Sequence, residues 1–318
     1  MKWVVRIVAI LVLLLAAAAA AAFLLLPKSV QVERTFAVER PAQSVVAWLA
    51  TTPAGDAFAD GVTETVRSTA PGKIEMDLAV GGRSGGQAVY LLTPTPTGGM
   101  EVKLTATRDF GGDIMARLAK ARGQDTFEQA VDAGVATLAE ELNALPSQFD
   151  FKGLQYTIED AAARPFIYIE ASTKQVADNI KRAMRISLAG ISTFITEYKL
   201  EVAGPPVAVE LSWQDDRYAF QAGLPYKGER PDEEIGVKFG DTPAGRVIKV
   251  VYEGPEENII PVYDQVETLI AASRLQRSGP SFEIFLDDPT QEGGSVKREI
   301  YHLIEGDDAA LSRIPALN

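Results

Sequence analysis

The sequence predicts an α+β protein with a single N-terminal transmembrane helix and two further domains, the second a duplicated strand–helix–strand–strand unit. Three observations carry this expectation. An uncharged apolar run extends from Ile7 to Leu26. Beyond it, segments with period-two alternation are interspersed with segments of helical spacing. Finally, "LEVAGPPVAVEL" (200–211) returns as "LQRSGPSFEIFL" (275–286), with Leu200, Gly204, Pro205 and Leu211 recurring as Leu275, Gly279, Pro280 and Leu286. At 318 residues the chain has the length of about two ordinary domains. It contains no cysteine, which excludes disulfides, thiol chemistry and cysteine-ligated metals. A net charge of −12 argues against binding a phosphate backbone and suits cationic or neutral small partners.

Taken in order, Lys2 and Arg6 precede the apolar run, which as a helix is about 30 Å long, the thickness of a hydrocarbon core. A cleaved signal peptide has a shorter apolar stretch of about 7 to 15 residues. The alanine tract offers small-residue cleavage sites, but Phe23-Leu24-Leu25-Leu26 beyond it is what an anchor needs. Residues 1–29 are therefore expected to be a membrane anchor. Basic residues before the span put the remainder outside the cytoplasm, as a single-pass inner-membrane protein with periplasmic domains.

Residues 30–147 read as one domain. "VQVERTFAV" alternates as a strand, Pro41 opens a helix carrying Val45, Val46, Trp48 and Leu49, and "KIEMDLAV", "AVYLLTP" and "MEVKLTATRDF" are strands parted by Gly/Pro turns. "GGRSGG" (81–86) lacks a phosphate loop's Lys-Ser/Thr and reads as a turn. The segment closes with a long helix, with Asp125 and Glu128 as a capping-box-like start and Phe127, Val131, Val135, Leu138 and Leu142 on one stripe. With "VERTFAVERPAQSVVAWL" in front and "ARGQDTFEQAVDAGVATLAEEL" behind, this order resembles the SRPBCC superfamily of START-like, helix-grip domains related to polyketide cyclases. The family's Trp-rich stretch after the first helix is missing from "PAGDAFADGVTETV". The span is short for the fold, and a packed spacer without ligand stands beside a cavity-bearing domain.

Pro146-Ser147-Gln148 marks the expected boundary to a second domain over 150–306, with 307–318 as a tail. Each Gly-Pro of the repeat follows a helix, "TKQVADNIKRAMRISLAGISTFITEY" or "NIIPVYDQVETLIAASR", which follows a strand, "PFIYIEA" or "GRVIKVVYEG". Two strands come after each Gly-Pro: "VAVELSW" and "RYAFQAGLPY", then "SFEIFLDD" and "VKREIYHLI". Duplicated units of this kind meet about a pseudo-twofold axis, with a ligand groove between the halves. The segments "YAFQAGLPY", "TPAGRVIKVVYEGPEENIIPVYDQVETLI", "GPSFEIFLDDP" and "VKREIYHLI", in order over about 153–305, resemble the GyrI-like, effector-binding domain at the C-terminus of AraC- and MerR-type regulators.

That resemblance implies a small-molecule groove in which the carboxylate of Glu283 neutralises a cationic, often aromatic ligand. The first repeat carries Ala208 at the matching position, so the charge belongs to one half only. Tyr168, Trp213, Tyr218, Phe220, Phe285 and Tyr301 are the candidate aromatic walls, for stacking and cation–π contact. No helix-turn-helix precedes the domain, and no nucleic-acid partner is expected. His302 is the only histidine, which suits a structural role and rules out a His-rich metal site; neither metal nor cofactor is expected. Asp215-Asp216 and Asp232-Glu233-Glu234 read as solvated faces. The favoured function is a membrane-tethered, non-enzymatic module for small cationic or aromatic ligands. The alternatives are a GyrI-like hydrolase, with Glu283 and Tyr301 positioning water, and a structural platform for a membrane partner.

Overall fold

The structure, a computed structural model, describes residues 2–232, 236–291 and 295–315. Glu233 and Glu234 of the acidic run lie outside the described residues. The chain divides into two compact units, Met1–Ser147 with Ser312–Asn318, and Gln148–Leu311.

In the first unit Lys2–Leu25 forms one helix, α1. Among the described residues, however, no helix is long and apolar enough to cross a membrane. This overturns the expected transmembrane anchor and, with it, the placement as a single-pass inner-membrane protein. The physical reason lies in alanine. The tract 16–22 is alanine, the residue of highest helix propensity, and each of its methyls adds less apolar area than a leucine side chain. The sequence reading counted every alanine as a spanning residue.

Six strands follow: β1 (Ser29–Val38), β2 (Asp56–Ala59), β3 (Val62–Ala70), β4 (Lys73–Val80), β5 (Arg83–Pro94) and β6 (Met100–Asp109). They form one antiparallel sheet in the order β1-β6-β5-β4-β3-β2. Pro41 is the N-cap of α2 (Ala42–Ala50), as its fixed φ suits. Helices α3 (Ile114–Ala121) and α4 (Phe127–Ala144) close the unit. The stripe read from the sequence buries Phe127, Val131, Leu138 and Leu142 of α4 against Val32, Ile74, Met76, Tyr90 and Leu104 of the sheet. Gly134 lies on that stripe because a Cβ there would meet the Phe58 ring at 2.5 Å. The capping box does not form. Thr126 is the N-cap, and Asp125 pairs with Arg108 at 3.3 Å while Glu128 pairs with Arg34 at 3.1 Å. The buried Arg117 of α3 holds the end of α1, donating to the Phe23 carbonyl at 3.2 Å and lying 4.2 Å from its ring.

The second unit contains β7 (Thr157–Ala161), β8 (Pro165–Lys174), α5 (Ala177–Glu197), β9 (Glu201–Val202), β10 (Val207–Gln214), β11 (Arg217–Lys227) and β12 (Lys238–Asp241). It continues with β13 (Gly245–Pro255), α6 (Ile259–Ala272), β14 (Gln276–Arg277), β15 (Phe282–Phe285) and β16 (Ser295–Glu305). The sheet order is β12-β8-β11-β10-β15-β16-β13-β7, with β9 on β11 and β14 on β16. The repeat is therefore β8-α5-β10-β11 followed by β13-α6-β15-β16. The stretch read as a tail carries a 3-10 turn, Asp308–Arg313, with Ala310 and Leu311 buried.

The halves meet where β10 and β15 run antiparallel, pairing Val207 with Ile284, Ala208 with Glu283 and Val209 with Phe282. Ala208 and Glu283 are also the matching positions of the repeat. Two equivalent residues of antiparallel strands face each other only where the twofold passes between them, so the axis runs between Ala208 and Glu283. Cross-strand partners share a face, which sorts the side chains into two sets. The near face packs under α5 and α6, with Phe220, Ala222 and Phe285 against Met184, and Ile167 against Ile191 and Phe194. The far face carries Phe166, Val207, Val209, Val247, Phe282, Ile284, Tyr301 and Leu303.

Candidate functional site

Glu283 lies on the near face and is already occupied. Arg298, on the neighbouring strand β16, donates from Nη1 to its carboxylate at 2.9 Å, and the Tyr263 hydroxyl of α6 lies near enough to feel the Glu283 charge. Arg298 Nη2 reaches Glu256 at 3.1 Å, and Lys181 of α5 closes on the same Glu256. The guanidinium lies 4.8 Å from the Phe285 ring. Side-chain exposures of 13% for Glu283 and 10% for Arg298 leave little access to water. Burial would lower the Arg298 pKa, but the Glu283 charge and hydrogen bond raise it above its ordinary value. Burial, then the Glu283 charge, pushes the Tyr263 hydroxyl well above the usual phenol range. The result is an alternating chain of charges, Lys181, Glu256, Arg298 and Glu283, that ties α5 and the turn leading into α6 to the sheet beside the axis.

Of the aromatic residues expected around Glu283, four share its face. Tyr218 stacks on Phe220 with centroids 4.6 Å apart, Trp213 lies 4.9 Å from Tyr218, and Phe285 completes the cluster. Trp213 is half-exposed and the other three are buried. Burial, then the charges of Glu283 and Glu210, raises the Tyr218 pKa well above its ordinary value. His302 is buried on the near face too, with Nδ1 3.1 Å from Glu267, which also pairs with Arg277 at 3.3 Å.

Tyr301 and Tyr168 are on the far face. Tyr301 faces Phe282 across the strands and Glu283 faces Ile300, so Tyr301 and Glu283 point to opposite sides of the sheet. The far face is paved by two stacked pairs, Phe282 on Tyr301 at 4.5 Å and nearly parallel, and Phe166 on Tyr168 at 4.9 Å. A cavity of 170 Å³ opens over it, lined by Phe282, Ile284, Tyr301, Val207, Thr242, Glu159, Ala162 and Arg164. A wider cleft of 620 Å³, lined by Val209, Gln221, Asp241, Pro243, Gly279 and Leu303, borders it along β10.

A further carboxylate, Glu299, lies beside Tyr301 outside the cavity's lining. The Tyr301 hydroxyl donates to Glu299 at 2.7 Å, and Lys249, opposite Tyr301 on β13, lies 2.9 Å from Glu299 and 3.5 Å from Glu159. Its ammonium stands 5.5 Å from the centre of the Tyr301 ring. Burial raises the Tyr301 pKa, and the bond to Glu299 adds to this, up to about 12. Burial alone would raise Glu299, but the hydrogen bonds from Lys249 and Tyr301 and the Lys249 charge hold it below the ordinary value. Arg298, Tyr263, Lys249 and Glu299 were missed in the sequence. Alternation along "VKREIYHLI" puts Arg298 and Glu299 on opposite faces, but only the register with β15 and β13 shows which carboxylate each one meets.

Residues 154–304 match the family described as the GyrI-like small molecule binding domain, so the chain carries a GyrI-like domain over that range. No curated protein matches. Among solved structures, EcmrR in its complex with DNA is similar at 11% identity and TM-score 0.41, over 48% of this chain and 57% of that one. The chain thus spans little more than half of that protein's length. The isolated C-terminal domain of EcmrR gives 12% identity and TM-score 0.41, over 48% of this chain and 97% of that one. A hydrolase from Listeria innocua gives 12% identity and TM-score 0.35, over 49% and 93%.

Proposed function

We propose, from the premise that residues 154–304 are a GyrI-like small-molecule-binding domain, that the ligand is a small amphipathic aromatic molecule held over the far face of the sheet. The observation that carries this reading is the cavity itself, with the stacked Phe282 and Tyr301 as its floor. An apolar cavity of about 150 Å³ holds one benzene, so 170 Å³ suits a single ring, and the bordering cleft gives room for a substituent. Offset stacking on Tyr301 and Phe282 adds about 0.5–1.5 kcal/mol to the burial of the ring. Glu283, Tyr218, Phe220, Phe285 and Trp213 then stabilise the halves of the repeat around the axis, and Tyr301 with Phe282 makes the aromatic contact of the ligand, with Tyr168 on the same face.

The reading is of a binding module. Hydrolysis by Glu283 with Tyr301 needs both at one water, and they face opposite sides of the sheet. Glu299 with Tyr301 has the proximity, but a carboxylate held below its ordinary pKa is a weak base and a phenol near 12 is a weak acid at neutral pH. We also propose that the first unit, a six-stranded antiparallel sheet gripped by the long α4, is a helix-grip domain of the SRPBCC kind.

Titration of the full chain with benzene-sized aromatics by calorimetry tests the site. Ala162→Phe, which fills the cavity from its exposed rim, should abolish binding, while Glu283→Gln should leave it within about twofold. Loss of binding in Glu283→Gln with retention in Ala162→Phe would move the site to the near face.

A further inference from the structure

Two short linkers tie the ends of the eight-strand path together. Residues 162–164 run from β7, one end of the path, to β8, and residues 242–244 run from β12, the other end, to β13. In each case five strands lie between the two that are joined, a separation of about 29 Å if the sheet were flat. A three-residue linker bridges at most about 14 Å. The sheet must therefore curl, and because both linkers line cavities floored by Val207, Phe282, Tyr301 and Val209, the curl closes over the far face.

Over that face the linkers run side by side as one strap. The Arg164 N–H donates to Thr242 Oγ1 at 3.0 Å, and the Thr242 N–H donates to the Arg164 carbonyl at 2.9 Å. Thr242 is buried, and Pro243, which has no N–H, ends the pairing. The strap sits close to the floor: at Gly245, where φ is +138°, an added Cβ would meet Leu303 at 3.0 Å. Its two edges face different spaces. Ala162, Arg164 and Thr242 line the 170 Å³ cavity, while Pro243, Ala244 and Gly245 line the 620 Å³ cleft. Resting on the far-face reading above, we infer that this strap is the specificity-determining element of the site: it partitions the far face, holds the smaller cavity to the size of one ring, and is pinned in that position by the Thr242 hydroxyl.

Benzamide and 2-naphthamide carry the same neutral polar group on one ring and on two fused rings, and both can be titrated against the full chain by calorimetry. The unaltered protein should favour benzamide by at least about tenfold, the lower end for excess bulk in an apolar pocket. Thr242→Val keeps the shape of the side chain and deletes its bond to Arg164. It should narrow that ratio to about threefold, with benzamide binding held within about twofold, whereas Thr242→Ser, which keeps the hydroxyl, should preserve the ratio. Inserting one glycine after the exposed Ala163 slackens the strap without touching a buried residue, and should narrow the ratio in the same way even where Thr242→Val does not fold. If 2-naphthamide binds the unaltered protein as well as benzamide does, or if the slackened variants discriminate as the unaltered protein does, the inference fails while the far-face site stands. If benzamide does not bind, or if Ala162→Phe leaves it bound, the far-face reading falls and the inference with it.

Discussion

Replacing Arg298 by methionine isolates the part played by the near-face charge chain. The change keeps much of the apolar stem that lies on Phe285 but removes the cation between Glu283 and Glu256. Glu256 keeps Lys181, whereas Glu283 loses its cation. Breaking a buried ion pair from one side costs about 3–5 kcal/mol, because a charge is left in low dielectric. The lower end applies here, since Glu283 is 13% exposed, so a loss of about 3 kcal/mol is expected. For a unit of this size that is roughly 6–12 °C in Tm. Glu283→Gln in the same chain removes the abandoned charge, and the double variant should recover most of the loss. Trp213, half-exposed against Tyr218, is the only tryptophan of the second unit and reports its unfolding once Trp3 and Trp48 are replaced by phenylalanine. Urea titration of single and double variants then yields the coupling energy. A loss below about 1 kcal/mol, or a double variant no more stable than Arg298→Met, would refute the account of Glu283 as an internally compensated scaffold charge.

The other predictions concern the far face and the first unit. Glu299 has a folded-state pKa below its unfolded value, so its contribution to stability is present above about pH 4.3 and is lost as pH falls through the folded pKa; Lys249→Met should flatten that acid-side dependence in urea titrations between pH 3 and 7. Tyr301→Phe keeps the ring stack on Phe282 and deletes the bond to Glu299, and should cost about 1 kcal/mol of stability with aromatic binding retained in calorimetry. Gly134→Ala should gain up to about 1 kcal/mol from helix propensity but lose about 1–3 kcal/mol to overpacking on Phe58, so Tm should fall; a rise would show that the ring rotates freely out of the way.

Much of the fold could be read from residue spacing. The stripe of Phe127, Val131, Leu138 and Leu142 and the Gly-Pro repeat reflect burial and turn geometry, which are written locally. The repeat matched Ala208 with Glu283, and their pairing across β10 and β15 places the axis between them. The contents of each face were harder to read. A strand's alternation separates Glu283 from Phe282 but does not say which side the helices cover, and the sequence reading grouped Glu283 with Tyr301, which faces the other side of the sheet. The partner of Glu283 was equally hidden, because Arg298 reaches it through a strand register that no local signal encodes. The N-terminal run misled for another reason: hydropathy and helix propensity coincide in an alanine tract, and only one of them concerns a membrane.

Nine tyrosines are present, and replacing them biosynthetically with 3-fluorotyrosine gives each face of the sheet its own fluorine reporters. Tyr301 and Tyr168 report the far face, Tyr218 and Tyr263 the near face. On addition of benzamide to the full chain, the account predicts shifts at Tyr301 and Tyr168 with Tyr218 and Tyr263 unmoved. Shifts confined to Tyr218 and Tyr263 would contradict it and return the ligand to Glu283, beneath the helices.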